Sequence, residues 1–394
     1  MVARPGAVDE MTERIAIVGV GMTAARPRTE HLSFKEMMFE AAQRAYADAG
    51  IEAHRIESFV TCAEDLSEGI SIFDEYTPDQ LGGVQKPMHT LSQDGLHGIA
   101  DAVMQLGSGL VGVVAVEAHS KHSNLRNPQS VLDYALDPTF VRPLGFNPHL
   151  IAALEMNMFL HQRGVSPGQC ARVVAKNRTA ALKNVAAAYP MDLRAEDLES
   201  APYHCYPLRE AEMAKGADGC VVMVLASENQ AQQITARPVW VRGVGFANDS
   251  PTLESRDWID AVYIRSAAAM AYRQAGIKDP AGEIDFFEVD DSYAYKELQH
   301  LTGLGIYPGA AEAGRALESG ETRAGGKKPV NVSGGSLGMG HTFEASGLYR
   351  LAEVVFQLRG EAGPRQLEKV KVGLAQSWRG VPTTSGAVVI LGRD

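Results

Sequence analysis

At 394 residues, 45% hydrophobic and 22% charged, the chain is long enough for a large core and two or three domains of ordinary globular composition. Its formal charge of -11, from 37 basic and 48 acidic side chains, argues against a nucleic-acid binder with a basic surface, and leaves room for a local basic patch receiving a phosphorylated cofactor. Met1 to Thr12 holds no secretory apolar core, and no stretch approaches the ~18 apolar residues of a membrane span. The expectation is therefore a cytoplasmic protein with no membrane span. Cys62, Cys170, Cys205 and Cys220 form no CxxC pair and read as free thiols, with no metal site.

Arg14 to Met22 (RIAIVGVGM) reads as a buried strand opening an α/β domain. Its GVG is not a GxGxxG fingerprint, because Ala24-Ala25-Arg26-Pro27 follows where the third glycine and the helix should come, so a dinucleotide site is discounted. A helix is expected from Ser33 to Ala49, with Ser33 as N-cap and Gly50 as stop, then a strand over Ile56 to Thr61. Asp65 to Gln85 lacks clean periodicity and reads as a long ordered connection or a segment gripping another subunit. Ser92 to Leu106 places Leu96, Ile99, Val103 and Leu106 on one helical face, and Val111 to Val116 is a nearly continuous apolar strand. Strand, helix and strand in that order imply a layered domain with a mainly parallel central sheet.

His119 to Pro148 reads as a loop rich in Asn, Pro and His. Ile151 to Gln162, Gln169 to Ala188 and the polar stretch Glu196 to Met213 read as a helical and loop insertion, with His204-Cys205 able to approach a site from above. Strands resume at Asp218 to Ser227 and Val239 to Phe246. The pattern then repeats: AAQRAYADAGIEAHRIESFV at Ala41 to Val60 is matched by AAAMAYRQAGIKDPAGEIDFFEV at Ala267 to Val289. Two like α/β units facing each other bring their helix starts to a common centre, a natural place for an active site.

Three loops could converge there. Ser92 opens the first-half helix as either its N-cap or a nucleophile, with no base supplied locally. Glu288 to Lys296 (EVDDSYAYK) offers Asp290 or Asp291 as a base, an orienter of a histidine or a helix cap, and Tyr293 or Tyr295 as an oxyanion donor. Val330 to Tyr349 (VNVSGGSLGMGHTFEASGLY) reads as strand, glycine crossing and helix start. There Gly334, Gly335 and Gly340 let main chain approach a ligand, and His341 donates to an oxygen or shuttles a proton. A last pair of strands, Lys371 to Leu374 and Val388 to Leu391, brackets Trp378 and Arg379, candidates to line the same centre. Cys62, at a strand end, is a rival nucleophile or simply a buried thiol.

These stretches, together with SQDGLHGIADAVMQLGSG, ADGCVVMVLAS and GLAQSWRG...SGAVVIL, resemble the thiolase superfamily over almost the whole chain. The likeness is greatest to its lipid-transfer-protein-associated and archaeal-type branch. The resemblance implies a duplicated five-layer α/β/α/β/α fold, with halves at about 12–232 (insertion 119–215) and 235–394. It also implies a homodimer or dimer of dimers, and a coenzyme A thioester as substrate with no permanently bound cofactor. By that resemblance Ser92 stands where thiolases carry their nucleophilic cysteine, Asp290 where they carry Asn or His, and Ser377 or Trp378 near their second cysteine. His341 matches their Gly-His motif. Without the thiolate, two chemistries remain: acyl transfer, or retro-aldol cleavage of a 3-hydroxyacyl-CoA. The alternative is a non-catalytic thiolase-like scaffold or acyl-CoA-binding subunit. Some relatives of this kind pair with a small zinc-ribbon and OB-fold acyl-CoA-binding protein.

Overall fold

The computed structural model describes residues 13–68, 72–250, 252–380 and 384–394; Met1 to Thr12, and Ile70 of the 65–85 connection, lie outside them. Strands β1 (Ile15–Met22), β2 (Ser58–Cys62), β3 (Met88–Leu91) and β4 (Val113–Lys121) come from the first half of the chain. A hairpin of β5 (Tyr203–Cys205) and β6 (Leu208–Arg209) follows, then β7 (Asp218–Ser227), β8 (Val239–Asn248), β9 (Phe286–Glu288), β10 (Val372–Arg379) and β11 (Ser385–Gly392). Apart from the hairpin they form one sheet in the order β3-β2-β4-β7-β1-β8-β11-β10-β9.

Outward from the central β1–β8 pair, the sequence β1, β7, β4, β2, β3 on one side is matched by β8, β11, β10, β9 on the other. Val330 bridges in parallel to Phe287 where a counterpart of β3 would lie. The sheet is mixed and not mainly parallel: parallel pairing is confined to β3-β2-β4 and β9-β10, and the ladders between β4 and β10 are antiparallel. The helical crossovers that force parallel neighbours join only the outer strands, while β7 and β11 return against β1 and β8.

The repeat occupies equivalent places. Helix α1 (Phe34–Ala49) follows β1, capped by Ser33 with Glu36 in a capping box and ended by Gly50 at φ 67°. Its counterpart α5 (Val262–Ala275) follows β8. Both strands carry a Gly-Val-Gly that admits its helix: a Cβ on Gly21 or Gly19 would strike the carbonyls of Ala41 and Ala45, and one on Gly245 or Gly243 those of Ala267 and Ala271. The GVG of β1 is thus a helix-packing feature, and the small residues of the repeat are its other side.

Helix α2 (Gly95–Gly107) follows β3, and α7 (Ser346–Arg359) follows the glycine crossing; both are buried on several faces. One core cluster joins Leu96, Ile99, Leu348 and Leu351 to Ile17, Val116, Val389 and Leu391, so α2 and α7 fill the space between first-half and second-half strands. A second cluster packs α1 on the other side of β1, and a third packs α5 on the other side of β11. Successive residues of a strand point to opposite faces, so these clusters give five layers, helix, strand, helix, strand, helix. Within the expected insertion, α3 (Pro148–Arg163) and α4 (Pro167–Ala181) pack onto the second-half cluster, alongside α6 (Ala294–Gly303). No helix among the described residues is long and apolar enough to cross a membrane.

Candidate active site

The crossing from β9 to α6 is fixed by its main chain. Val289 N–H donates to Asn331 Oδ1 at 2.8 Å, and Asp290 N–H to Gln376 Oε1 at 2.9 Å. Asp290 is buried and accepts from Arg350 Nη2 of α7 at 2.6 Å. Burial raises its carboxyl, but the Arg350 guanidinium and then the neighbouring His300 outweigh this and hold it below the usual carboxylate range. Ser292 Oγ donates to Asp290 Oδ2 at 3.2 Å and lies 3.4 Å from His341 Nδ1. With the hydroxyl proton spent on Asp290, Nδ1–H of His341 is the donor to Oγ, which leaves the Nε2 lone pair free. Burial lowers the His341 pKa to about 4, so the imidazole is neutral near pH 7.

His341 does not sit at the mouth of the long helix. A short helix, Gly335–Met339, precedes it and a 3₁₀ turn, Phe343–Ala345, separates it from α7. It is held by its backbone: His341 N–H donates to Lys215 O at 2.8 Å, and its carbonyl accepts from Ala217 N–H at 3.0 Å. A side chain on any of the glycines before it would meet protein. A Cβ on Gly334 (φ 108°) would lie 2.6 Å from Ala181 Cβ of α4. Gly335 faces the Asp291 carboxylate, and Gly340 (φ 105°) faces Ala217 and Tyr189. Gly334, Gly335 and Gly340 are not among the residues lining the cavity described next, and their missing side chains make room for α4 and its neighbours.

A cavity of about 220 Å³ gathers Ser92, Tyr293, His341, Trp378 and Arg379, from both halves of the chain, with His149 from α3. Val131, Leu132 and Tyr134 add an apolar wall from the insertion. Tyr293 Oη and His149 Nδ1 are 2.9 Å apart, and Trp378 meets the Tyr293 ring edge-on at 6.0 Å. Behind Trp378 the buried Lys296 ammonium lies 4.3 Å from the indole centroid and is paired with Glu155. Burial raises the Tyr293 phenol well above its ordinary value, so it stays protonated. Burial, and then the adjacent His204 ring, lower His149 to about 4.

Ser92 is exposed in this cavity but does not cap α2. Asp94 is the N-cap, accepting from Leu96 N–H at 2.9 Å through Oδ1, while its Oδ2 accepts from Gly347 N–H of α7 at 2.9 Å. Among the described residues no base is hydrogen-bonded to Ser92. Asp291 faces away from the cavity and accepts from Asn177 Nδ2 at 2.7 Å and from the N–H groups of Ser336 and Leu337, at the head of the short helix. Tyr295 lies in the core, 6.1 Å from the Phe159 ring. Cys62 is fully buried under Gly98 of α2, and burial pushes its thiol pKa well up, which leaves it without the access or thiolate a nucleophile needs. Gln376, Ser377 and Trp378 belong to β10 itself, a strand longer than expected.

His149 and Ser292 were not among the sequence-derived candidates. Asn147-Pro148 starts α3 three residues before Ile151, with Asn147 Oδ1 capping Leu150 N–H at 2.9 Å and Pro148 in the first turn. That Asn-Pro pair is a helix-start signal, and it sets His149 at the mouth of a helix.

Residues 245–393 match the thiolase C-terminal domain-like family. The acetyl-CoA acetyltransferase of Methanothermobacter thermautotrophicus is 29% identical over 389 residues, spanning 96% of this chain and 99% of the relative. Sterol carrier protein 2 of Bos taurus is 27% identical, over 92% of this chain and 70% of the relative. Among solved structures, an "Ltp2-ChsH2(DUF35) aldolase" superposes with a TM-score of 0.84 at 22% identity, covering 97% of this chain and 98% of that one. Residues 245–393 thus carry the family match, and over nearly its whole length the chain is similar to thiolase-like proteins in sequence and fold. Its sequence is similar both to archaeal acetyl-CoA acetyltransferase and to sterol carrier protein 2.

Proposed function

We propose that the protein cleaves the carbon–carbon bond of a 3-hydroxyacyl-CoA by a retro-aldol reaction. The names of its relatives span acetyl transfer and aldol chemistry, and the observation that favours the second is the cavity's inventory. It holds a neutral imidazole with a free Nε2 and a protonated phenol, while among the described residues Ser92 has no base hydrogen-bonded to it. Acyl transfer needs an activated nucleophile, and a serine without a positioned base is not one.

In this reading His341 Nε2 takes the proton of the 3-hydroxyl, with Asp290 stabilising the imidazolium through Ser292. The Cα–Cβ bond breaks, its electron pair passes to the thioester as an enolate, and the hydroxyl oxygen becomes the carbonyl of an aldehyde or ketone. Tyr293 gives its proton to the enolate carbon, yielding the shortened acyl-CoA. Ser92 Oγ–H supplies a hydrogen bond in the cavity. The resemblance's homodimer, and a small acyl-CoA-binding partner, belong to the same proposal.

The test is incubation with a 3-hydroxyacyl-CoA and detection of the carbonyl product and the shortened thioester. His341→Ala and Tyr293→Phe are expected to lower kcat by about 10² to 10⁴, the range of general acid–base catalysis. A trapped acyl adduct on Ser92, with Ser92→Ala inactive, would overturn the reading in favour of acyl transfer.

A further inference from the structure

The proposed reaction rests on an acid and a base that are different groups, and each turnover leaves both in the wrong state: a proton on His341 and a phenolate at Tyr293. The base side discharges when the carbonyl product leaves the cavity. Tyr293 is largely buried, and its hydroxyl rests against a neighbour through which it can be reprotonated while product still fills the cavity. Its hydrogen-bonded neighbour among the described residues is His149, half-buried at the start of α3. The His149 ring also meets that of His204, edge-on, with centroids 5.2 Å apart. His204 stands exposed on the β5–β6 hairpin. Asp133, on the short helix Pro128–Asp133, is the other charged group acting on His149.

We infer that His204 is a positioning residue that supplies protons from solvent to Tyr293 through His149. In each cycle His149 Nδ1–H passes its proton to the Tyr293 phenolate. The other nitrogen of His149 takes a proton from His204, directly when the exposed ring turns or across one water, and His204 recovers its own from solvent. No bond other than N–H and O–H is made or broken, and one proton enters for the one discharged by His341. The inference deepens the retro-aldol reading and depends on it.

The experiment measures kcat and KM for a 3-hydroxyacyl-CoA at low buffer concentration, with imidazole added in steps. His204→Gln is expected to lower kcat about tenfold or more with KM unchanged, and imidazole is expected to restore kcat in proportion to its concentration. Cys205→Ser, a neighbouring change in the same hairpin, should keep wild-type kcat and show no imidazole dependence. A His204→Gln protein with wild-type kcat, or one whose loss imidazole does not restore, overturns the relay while leaving the aldol reading intact. Wild-type protein that releases no carbonyl product overturns both.

Discussion

At the scale of single residues, function turns on which groups carry protons near neutral pH. His341 and His149 both have pKa values lowered to about 4 by burial, so both are neutral from about pH 5 upward and gain charge as pH falls through about 4. A protonated His341 cannot act as the base, so kcat/KM should be flat between pH 5 and 7 and fall about tenfold per unit below about 4, read from a pH–rate profile on protein shown to be folded. A limb near pH 6.5 would mean that His341 is solvated during turnover. Ser92→Ala should keep kcat within about tenfold, because only a hydrogen bond is lost. His341, Tyr293, Trp378 and Ser92 were legible because each stands at the edge of a recognisable strand or helix. His149 was not: its partner lies 144 positions away, and the Asn-Pro helix start that aims it hid in a stretch that looked like a loop.

At the scale of elements, glycine runs are ambiguous in sequence, since the same absence of side chain admits a ligand or a neighbouring helix. Here it admits α4. Gly334→Ala meets both the positive φ and the Ala181 contact, and should destabilise the fold by about 1–3 kcal/mol, measured as a lower urea midpoint. Paired with Ala181→Gly, part of the loss should return, which a purely backbone effect would not allow. Arg350 ties α7 to Asp290 in a dry interior, so Arg350→Ala leaves a buried carboxylate unpaired and should cost about 3–5 kcal/mol. A different contact from α7 bears on the N-cap of α2. Ser, Gln and Asp precede Gly95, and local propensity allows Ser92 or Asp94; Asp94 takes the cap through Leu96 N–H and is held there by the distant N–H of Gly347.

At the scale of the whole molecule, the duplication was readable because the helices that line β1 and β8 must be small-sided where strand glycines face them, and that constraint writes the same pattern twice. Strand direction was not readable. Apolar runs such as Val221 to Leu225 suit parallel and antiparallel ladders alike once both faces are covered. The sheet ends in β3, a half-exposed strand with one unpaired edge. Covering that edge with a second copy is the economical way to satisfy it, and sedimentation at micromolar concentration should give about twice the 42.3 kDa chain mass.

The Asp94 carboxylate has a mechanical corollary. One oxygen holds the head of α2 and the other the head of α7, so a single buried side chain rivets the two copies of the motif together at the cavity wall. Prying the copies apart would strand a charge in apolar surroundings. Separating the heads of the two helices therefore leaves the Gly347 N–H without its acceptor.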